Sequence, residues 1–191
     1  MTDEQVTGWA LAAGRGDPDA AAAFVRATQR QLRRFLHHLA GPGELDDLTQ
    51  ETYLRALRSL PGFAGRSSAR TWLYTIARRV AADHVRAAVV RPRLARVDDW
   101  QGAADAATVA DRPRFEEDLA LRDLLGALSP ERREAFVATQ VLGLSYAEAA
   151  EVCDCPVGTI RSRVARARED LVVALADSGV SRRARPGGAA G

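Results

Sequence analysis

The sequence predicts an all-α protein of two small helical domains joined by a flexible linker. Three observations carry that expectation. Period-two alternation of β-branched residues is absent, so nothing reads as a strand. Apolar residues recur instead at three- and four-residue spacing, between Gly, Pro and small polar residues that punctuate helices. The helical pattern then lapses from Val89 to about Pro113, where Arg91-Pro92-Arg93 leads into an Ala-rich, acid-biased stretch. The expected organisation is a domain over 1–90, a linker over 91–114, a second domain over 115–177 and a disordered tail over 178–191.

In the first half, Thr2 or Asp3 opens a helix with Val6, Trp9, Ala10 and Ala13 on one side, ended by Gly14 and Gly16. Asp17-Pro18 is a cap followed by a proline suited to the first helical position. A long helix then runs to about Leu39 with Phe24, Leu32, Phe35 and Leu39 inward, and Gly41-Pro42-Gly43 breaks it. A third helix, from about Glu44 to Leu60, buries Leu45, Leu48, Leu57 and Leu60. Pro61-Gly62 and Gly65-Arg66-Ser67-Ser68 form a loop. A fourth helix, from about Arg70 to Ala88, buries Leu73, Ile76, Ala77 and Val80, with Arg78, Arg79 and Arg86 on its other side and Trp72 at the edge of the apolar stripe.

In the second half, one helix holds Leu119, Leu124, Leu125 and Leu128. Ser129-Pro130-Glu131 then opens another that reaches about Val141, and Gly143 ends it. From Leu144 to Arg168 the chain reads as two short helices around a tight turn. Ser145 and Glu148 have the spacing of a capping box. That helix carries Tyr146, Ala149, Ala150 and Val152 and stops near Cys153-Asp154, and Pro156 suits the start of the next. At about 100° per residue, Val157, Ile160, Val164, Ala167, Leu171 and Leu175 form one stripe. Gly158, Ser162, Ala165, Arg166 and Glu169 lie opposite, with Arg161 and Arg168 at one edge and Arg163 at the other. A helix rich in Arg and short polar side chains, packed on a short partner, has the form of a helix-turn-helix reader. Arg grips guanine bidentately in the major groove, or phosphate anywhere. An ordinary solvated helix fits the same pattern, because Arg is abundant throughout.

Composition bounds the function classes. The 191 residues carry a net charge of only +2, so nucleic-acid binding must come from local patches. Every basic residue apart from His is Arg. Cys153 and Cys155 are too closely spaced for the usual zinc half-site, no second cluster follows, and His37, His38 and His84 are remote in sequence, so no metal site is expected. The cysteines read as reduced thiols of a cytoplasmic protein. No apolar run is long enough for a membrane span, and the N-terminus lacks the pattern of a signal peptide. No nucleophile–base set or phosphate loop appears, so neither an enzyme nor a cofactor is expected.

Two blocks carry a family resemblance. DDLTQETYLRAL (Asp46 to Leu57), followed by SSARTWLYTIARRVAADHVR (Ser67 to Arg86), resembles sigma region 2. LSYAEAAEVCDCPVGTIRSRVARARE (Leu144 to Glu169) resembles sigma region 4. Their order and spacing make the chain similar to bacterial extracytoplasmic-function (ECF) sigma factors, the promoter-recognition subunits of RNA polymerase. The likeness covers about residues 8 to 175.

The resemblance implies roles for particular residues. Asp46, Asp47, Gln50 and Glu51 would dock on the coiled coil of the polymerase β′ subunit; stabilising a helix N-terminus explains the same acids. Gly65, Arg66, Ser67 and Ser68 fall in the family's loop that captures a flipped base of the minus-ten element. Trp72 would offer a stacking face, and Arg78 and Arg79 a grip on the backbone; Trp72 fits a core position equally well. In region 4, Arg161, Ser162 and Arg166 would face the minus-thirty-five element, with Thr159 and the helix N-terminus meeting phosphate and Arg163 touching phosphate or solvent. Val141, Leu142 and Leu144 offer a surface for the β flap, or simply interhelix core. The implied partners are core RNA polymerase and promoter DNA, with an anti-sigma factor as a further partner of many ECF proteins. The alternative from the residues alone is a stand-alone helix-turn-helix regulator, which would bind a palindromic site tightly without polymerase.

Overall fold

The structure is a computed structural model and describes residues 2–41, 43–90, 121 and 124–183. The predicted linker over 91–114 and the end of the tail over 184–191 lie outside the described residues. Among the described residues there is helix and turn but no strand.

Helix α1 spans Asp3–Gly14 and opens on Thr2 through a capping box with Gln5. Helix α2 spans Pro18–Ala40, with the Asp17 carboxylate accepting from the N–H groups of Asp19 and Ala20. Helix α3 spans Leu45–Ser59 and runs into a 3₁₀ turn, Leu60–Gly62. Helix α4 spans Ala69–Val90. These four pack on one another around Val6, Phe24, Leu32, Phe35, Leu36, Leu73, Tyr74 and Ala77, all nearly inaccessible. Phe35 and Tyr74 meet with ring centroids 5.3 Å apart.

In the second half, a helical end at 124–126 precedes helix α5, Pro130–Phe136, which continues as a π-helical turn, Val137–Val141. Helix α6 spans Tyr146–Cys153 and helix α7 spans Val157–Arg183. Ala135, Ala138, Ala149, Ala150, Cys153, Ile160 and Val164 form a core of their own. The two halves also touch. Helix α4 packs on α6, and Leu125, Leu128, Val137, Val152 and Ala167 join the core of the first four helices.

Several sequence expectations need correcting. Leu57 is 40% exposed; α3 instead turns Thr52, Tyr53 and Ala56 inward, because Tyr53 reaches the α2 hydroxyl of Thr28 at 2.8 Å. Leu39, Leu45 and Ile76 are only half-buried. On α7, Ile160, Val164 and Ala167 are buried, but Val157 and Leu175 sit at the two ends of the stripe and are exposed. Pro156 occupies the cap position rather than the first helical one, with its carbonyl accepting from Thr159 and Ile160. Ser129 occupies the α5 cap position without a side-chain cap bond; Arg133 instead donates to the carbonyls of Leu125, Gly126 and Leu128. Helix α7 is assigned as far as Arg183.

Candidate nucleic-acid interface

The second half presents a helix-turn-helix. At the start of α6, the Ser145 hydroxyl accepts from the Glu148 N–H at 3.2 Å, and Glu148 accepts from the Ser145 N–H at 2.9 Å, so the predicted capping box is formed. Asp154 ends α6 in the left-handed conformation at φ 51°, which Asp tolerates better than most residues. The Cys155 N–H returns to the Ala150 carbonyl at 3.1 Å, tightening the turn that launches α7.

Burial of Ile160, Val164 and Ala167 fixes the rotation of α7. Its opposite face therefore shows Arg161, Ser162, Ala165 and Arg166 to solvent. Among the described residues, nothing pairs with Arg161 or Arg166. The Ser162 hydroxyl folds back on the Thr159 carbonyl at 2.9 Å, and Thr159 is half-buried at the first turn. Two flanking arginines are engaged: Arg163 donates to Cys155 Sγ at 3.6 Å and Arg168 to Gln140 Oε1 at 3.1 Å. Cys153 is buried, and burial, reinforced by the charge of Glu134, pushes its thiol up to about 12. It is a protonated core residue at neutral pH. Among the described residues no group of His, Cys, Asp or Glu is placed to hold a metal.

The first half presents a loop. Ser68 caps α4, its hydroxyl accepting from the Thr71 N–H at 3.1 Å, so its side chain is committed to the helix. Gly65 has φ +68°, a conformation that favours glycine. Arg66 is exposed and Ser67 half-buried, and among the described residues neither has a partner. Trp72 is half-buried against the core and tilted onto Phe63, with centroids 4.9 Å apart. Arg79 is exposed, but Arg78 is not free. Its Nε donates to Glu134 of α5 at 2.8 Å, and Thr71 Oγ1 lies 3.5 Å from Glu148 of α6. Part of the surface expected to meet unpaired DNA therefore faces the second half.

The acidic group lies on the first turns of α3. Asp47 and Gln50 are exposed and unengaged among the described residues. Asp46 pairs with Arg33, and Glu51 accepts from Arg55 at 2.7 Å. Such exposed pairs contribute about 0–1 kcal/mol, so a basic partner displaces them at small cost. Val141, Leu142 and Leu144 are partly buried against the core. Glu134 and Glu148 carried no signal of these cross-contacts, since each reads locally as an ordinary helical acid.

Residues 24–89 match the family model "Sigma-70 region 2" and residues 118–171 match "Sigma-70, region 4". The chain is 50% identical over 170 residues to the ECF RNA polymerase sigma factor SigC of Mycobacterium tuberculosis, covering 89% of this chain and 91% of that one. It is 31% identical over 166 residues to the ECF RNA polymerase sigma-E factor of Escherichia coli, covering 82% and 87%. Among solved structures, CnrH in complex with the cytosolic domain of CnrY superposes with TM-score 0.70 at 25% identity, covering 91% of this chain and 98% of that one. The sigma factor RpoE of Bartonella quintana, in complex with the anti-sigma factor NepR, gives TM-score 0.58 at 28% identity, covering 77% and 91%.

Proposed function

The chain belongs to the extracytoplasmic-function RNA polymerase sigma factors, and on that premise we propose a division of promoter reading between its two halves. As a sigma factor it directs core polymerase to specific promoters and assists initiation. We infer that the chemistry is the polymerase's, that this chain is not itself an enzyme, and that it works in the cytoplasm. Among the described residues no helix is long and apolar enough to cross a membrane.

The observation that carries the reading is the outward face of α7. Arg161, Ser162 and Arg166 stand together on a helix whose other face is locked in the core, behind a capped partner helix. That rigid face suits the major groove of a duplex minus-thirty-five element, where Arg reads guanine bidentately. Arg163 and Thr159 fall to the phosphate edges. The loop at Arg66 and Ser67 is the reader of unpaired minus-ten bases, backed by Arg79 and Trp72. A base extracted from the stack costs a few kcal/mol, which contacts in this loop return. Arg78 joins this surface once it leaves Glu134, so docking on polymerase and separation of the halves go together. Asp46, Asp47, Gln50 and Glu51 face the β′ coiled coil, and Val141, Leu142 and Leu144 lie nearest the surface expected for the β flap. The solved relatives captured with CnrY and NepR support including an anti-sigma factor among the partners.

Run-off transcription with purified core polymerase and pooled genomic promoter fragments tests this directly. New discrete transcripts that need the chain are expected. Specific footprints by the chain alone, without transcripts, would instead support a stand-alone regulator. Replacing Asp47 and Glu51 with Arg is expected to weaken polymerase binding at least tenfold (about 1.4 kcal/mol) with an unchanged melting curve. Normal binding would return those acids to helix stabilisation.

A further inference from the structure

Helix α1 lies outside the stretch that matches the region 2 family model, residues 24–89. Its Val6 and Ala10 are fully buried and account for its packing on the core. A second stripe remains. Asp3, Thr7, Leu11 and Gly14 fall within an arc of about 80° at about 100° per residue, and each meets either the segment between α3 and α4 or the first turn of α4.

The contacts run in chain order along that segment. A Cβ on Gly14 would lie 2.5 Å from the Leu60 carbonyl oxygen, so α1 touches the backbone where the loop begins. A Cβ on Gly65 would lie 3.5 Å from Leu11 Cδ1, so Leu11 backs the glycine that turns the loop through φ +68°. Thr7 Oγ1 accepts from the Ala69 N–H at 3.0 Å, across 62 residues of sequence. That N–H is the first of α4 and has no acceptor within its own helix. Ala69 is fully buried, so no water replaces Thr7 there. Asp3 pairs with Arg70 at 2.7 Å, offsetting a cation placed in the first turn of α4, where the helix dipole disfavours it. Supported at its start, middle and end, the loop leaves Arg66 and Ser67 as the part no side chain of α1 holds.

We propose that α1 is the strut that shapes the base-reading loop, and that Thr7 is a positioning residue for selection at the minus-ten element, acting through Ala69 and the α4 cap. The proposal rests on the reading of residues 65–68 as that loop. With Thr7 in place the first turn of α4 is anchored, and Arg66 and Ser67 project from a fixed frame. Without it, the same residues are present but their spacing to an extruded base varies, so discrimination falls before binding to the duplex does.

The test uses holoenzyme reconstituted with core polymerase and single-stranded oligonucleotides carrying the minus-ten sequences found by run-off transcription, with each of the four bases at the captured position. Thr7→Val keeps the shape and removes the acceptor, and Thr7→Ser keeps the acceptor. Arg66→Ala with Ser67→Ala reports on the loop itself. Thr7→Val is expected to lower the preference for the favoured base by about fivefold, the scale of one hydrogen bond. Thr7→Ser should retain the preference, and minus-thirty-five duplex binding should stay unchanged in both. Preference lost in the loop variant but kept in Thr7→Val, whatever its melting temperature, overturns the strut and leaves the loop reading standing. Preference unchanged in every variant overturns the loop reading and the strut with it.

Discussion

The two proposed reading surfaces are built on opposite plans. On α7 the proposed reader is a helix face: Ile160, Val164 and Ala167 fix its rotation, and Arg161 and Arg166 project from the other side without a partner among the described residues. Ahead of α4 the proposed reader is a loop, held at its ends by Thr7 and Gly14 of α1, beside a surface partly covered because Arg78 is paired with Glu134. The difference suits the two proposed targets. A duplex groove has a fixed shape, and a preformed helix meets it with little loss of entropy. An unpaired base must be admitted, which needs an opening with a firm frame. On the proposed reading, the second surface is complete only once Arg78 leaves Glu134.

The largest expected effect separates the two plans at their cores. Ile160→Ala should cost about 2–5 kcal/mol and abolish minus-thirty-five binding. Hydrogen exchange should show loss of protection confined to α5–α7, because Ile160 belongs to the small core that only those helices share. Loss spreading into α1–α3 would show that the halves unfold as one. Next, Arg166→Ala should cost about 1–3 kcal/mol of minus-thirty-five discrimination and leave minus-ten selection intact, read by competition between promoter variants. An unaltered preference would place Arg166 on phosphate or solvent. Glu134→Gln tests the cover. The pair is part-buried, its side chains 26% and 16% exposed, so removing its charge should cost about 1–2 kcal/mol, and exchange at the middle of α4 in the free chain should rise accordingly. Unchanged exchange would mean that apolar packing alone closes the halves. The smallest effect concerns chemistry rather than stability. Cys153, buried and protonated, should resist maleimide in the folded chain while Cys155 reacts, and mass spectrometry after peptide digestion reads the ratio.

Much of this fold was legible in local spacing. The Ser145–Glu148 box and the Asp17-Pro18 start appear as their side-chain types predict, because each cap involves residues two or three apart. The face of α7 that carries Arg161, Ser162 and Arg166 was legible too, since one buried stripe dictates what lies opposite. The assignment of Leu57 failed, because Tyr53 and Ala56 took the inward positions of α3 once Tyr53 found Thr28 on α2. Neither Ser68 as the α4 cap nor Thr7 as the acceptor for the Ala69 N–H has a marker in the run of small polar residues.

By itself, then, the sequence determined most of the helices, the caps at Thr2, Asp17 and Ser145, the absence of strand pattern and the identity of the two sigma blocks, because periodicity and these caps depend on residues within about one helical turn. The tertiary structure decided which arginines are free. Arg78 is claimed by Glu134 across 56 residues and Arg70 by Asp3 at the far end of α1, whereas Arg161 and Arg166 are left open among the described residues. A charge's availability depends on what the folded chain brings beside it, and no local pattern contains that distance.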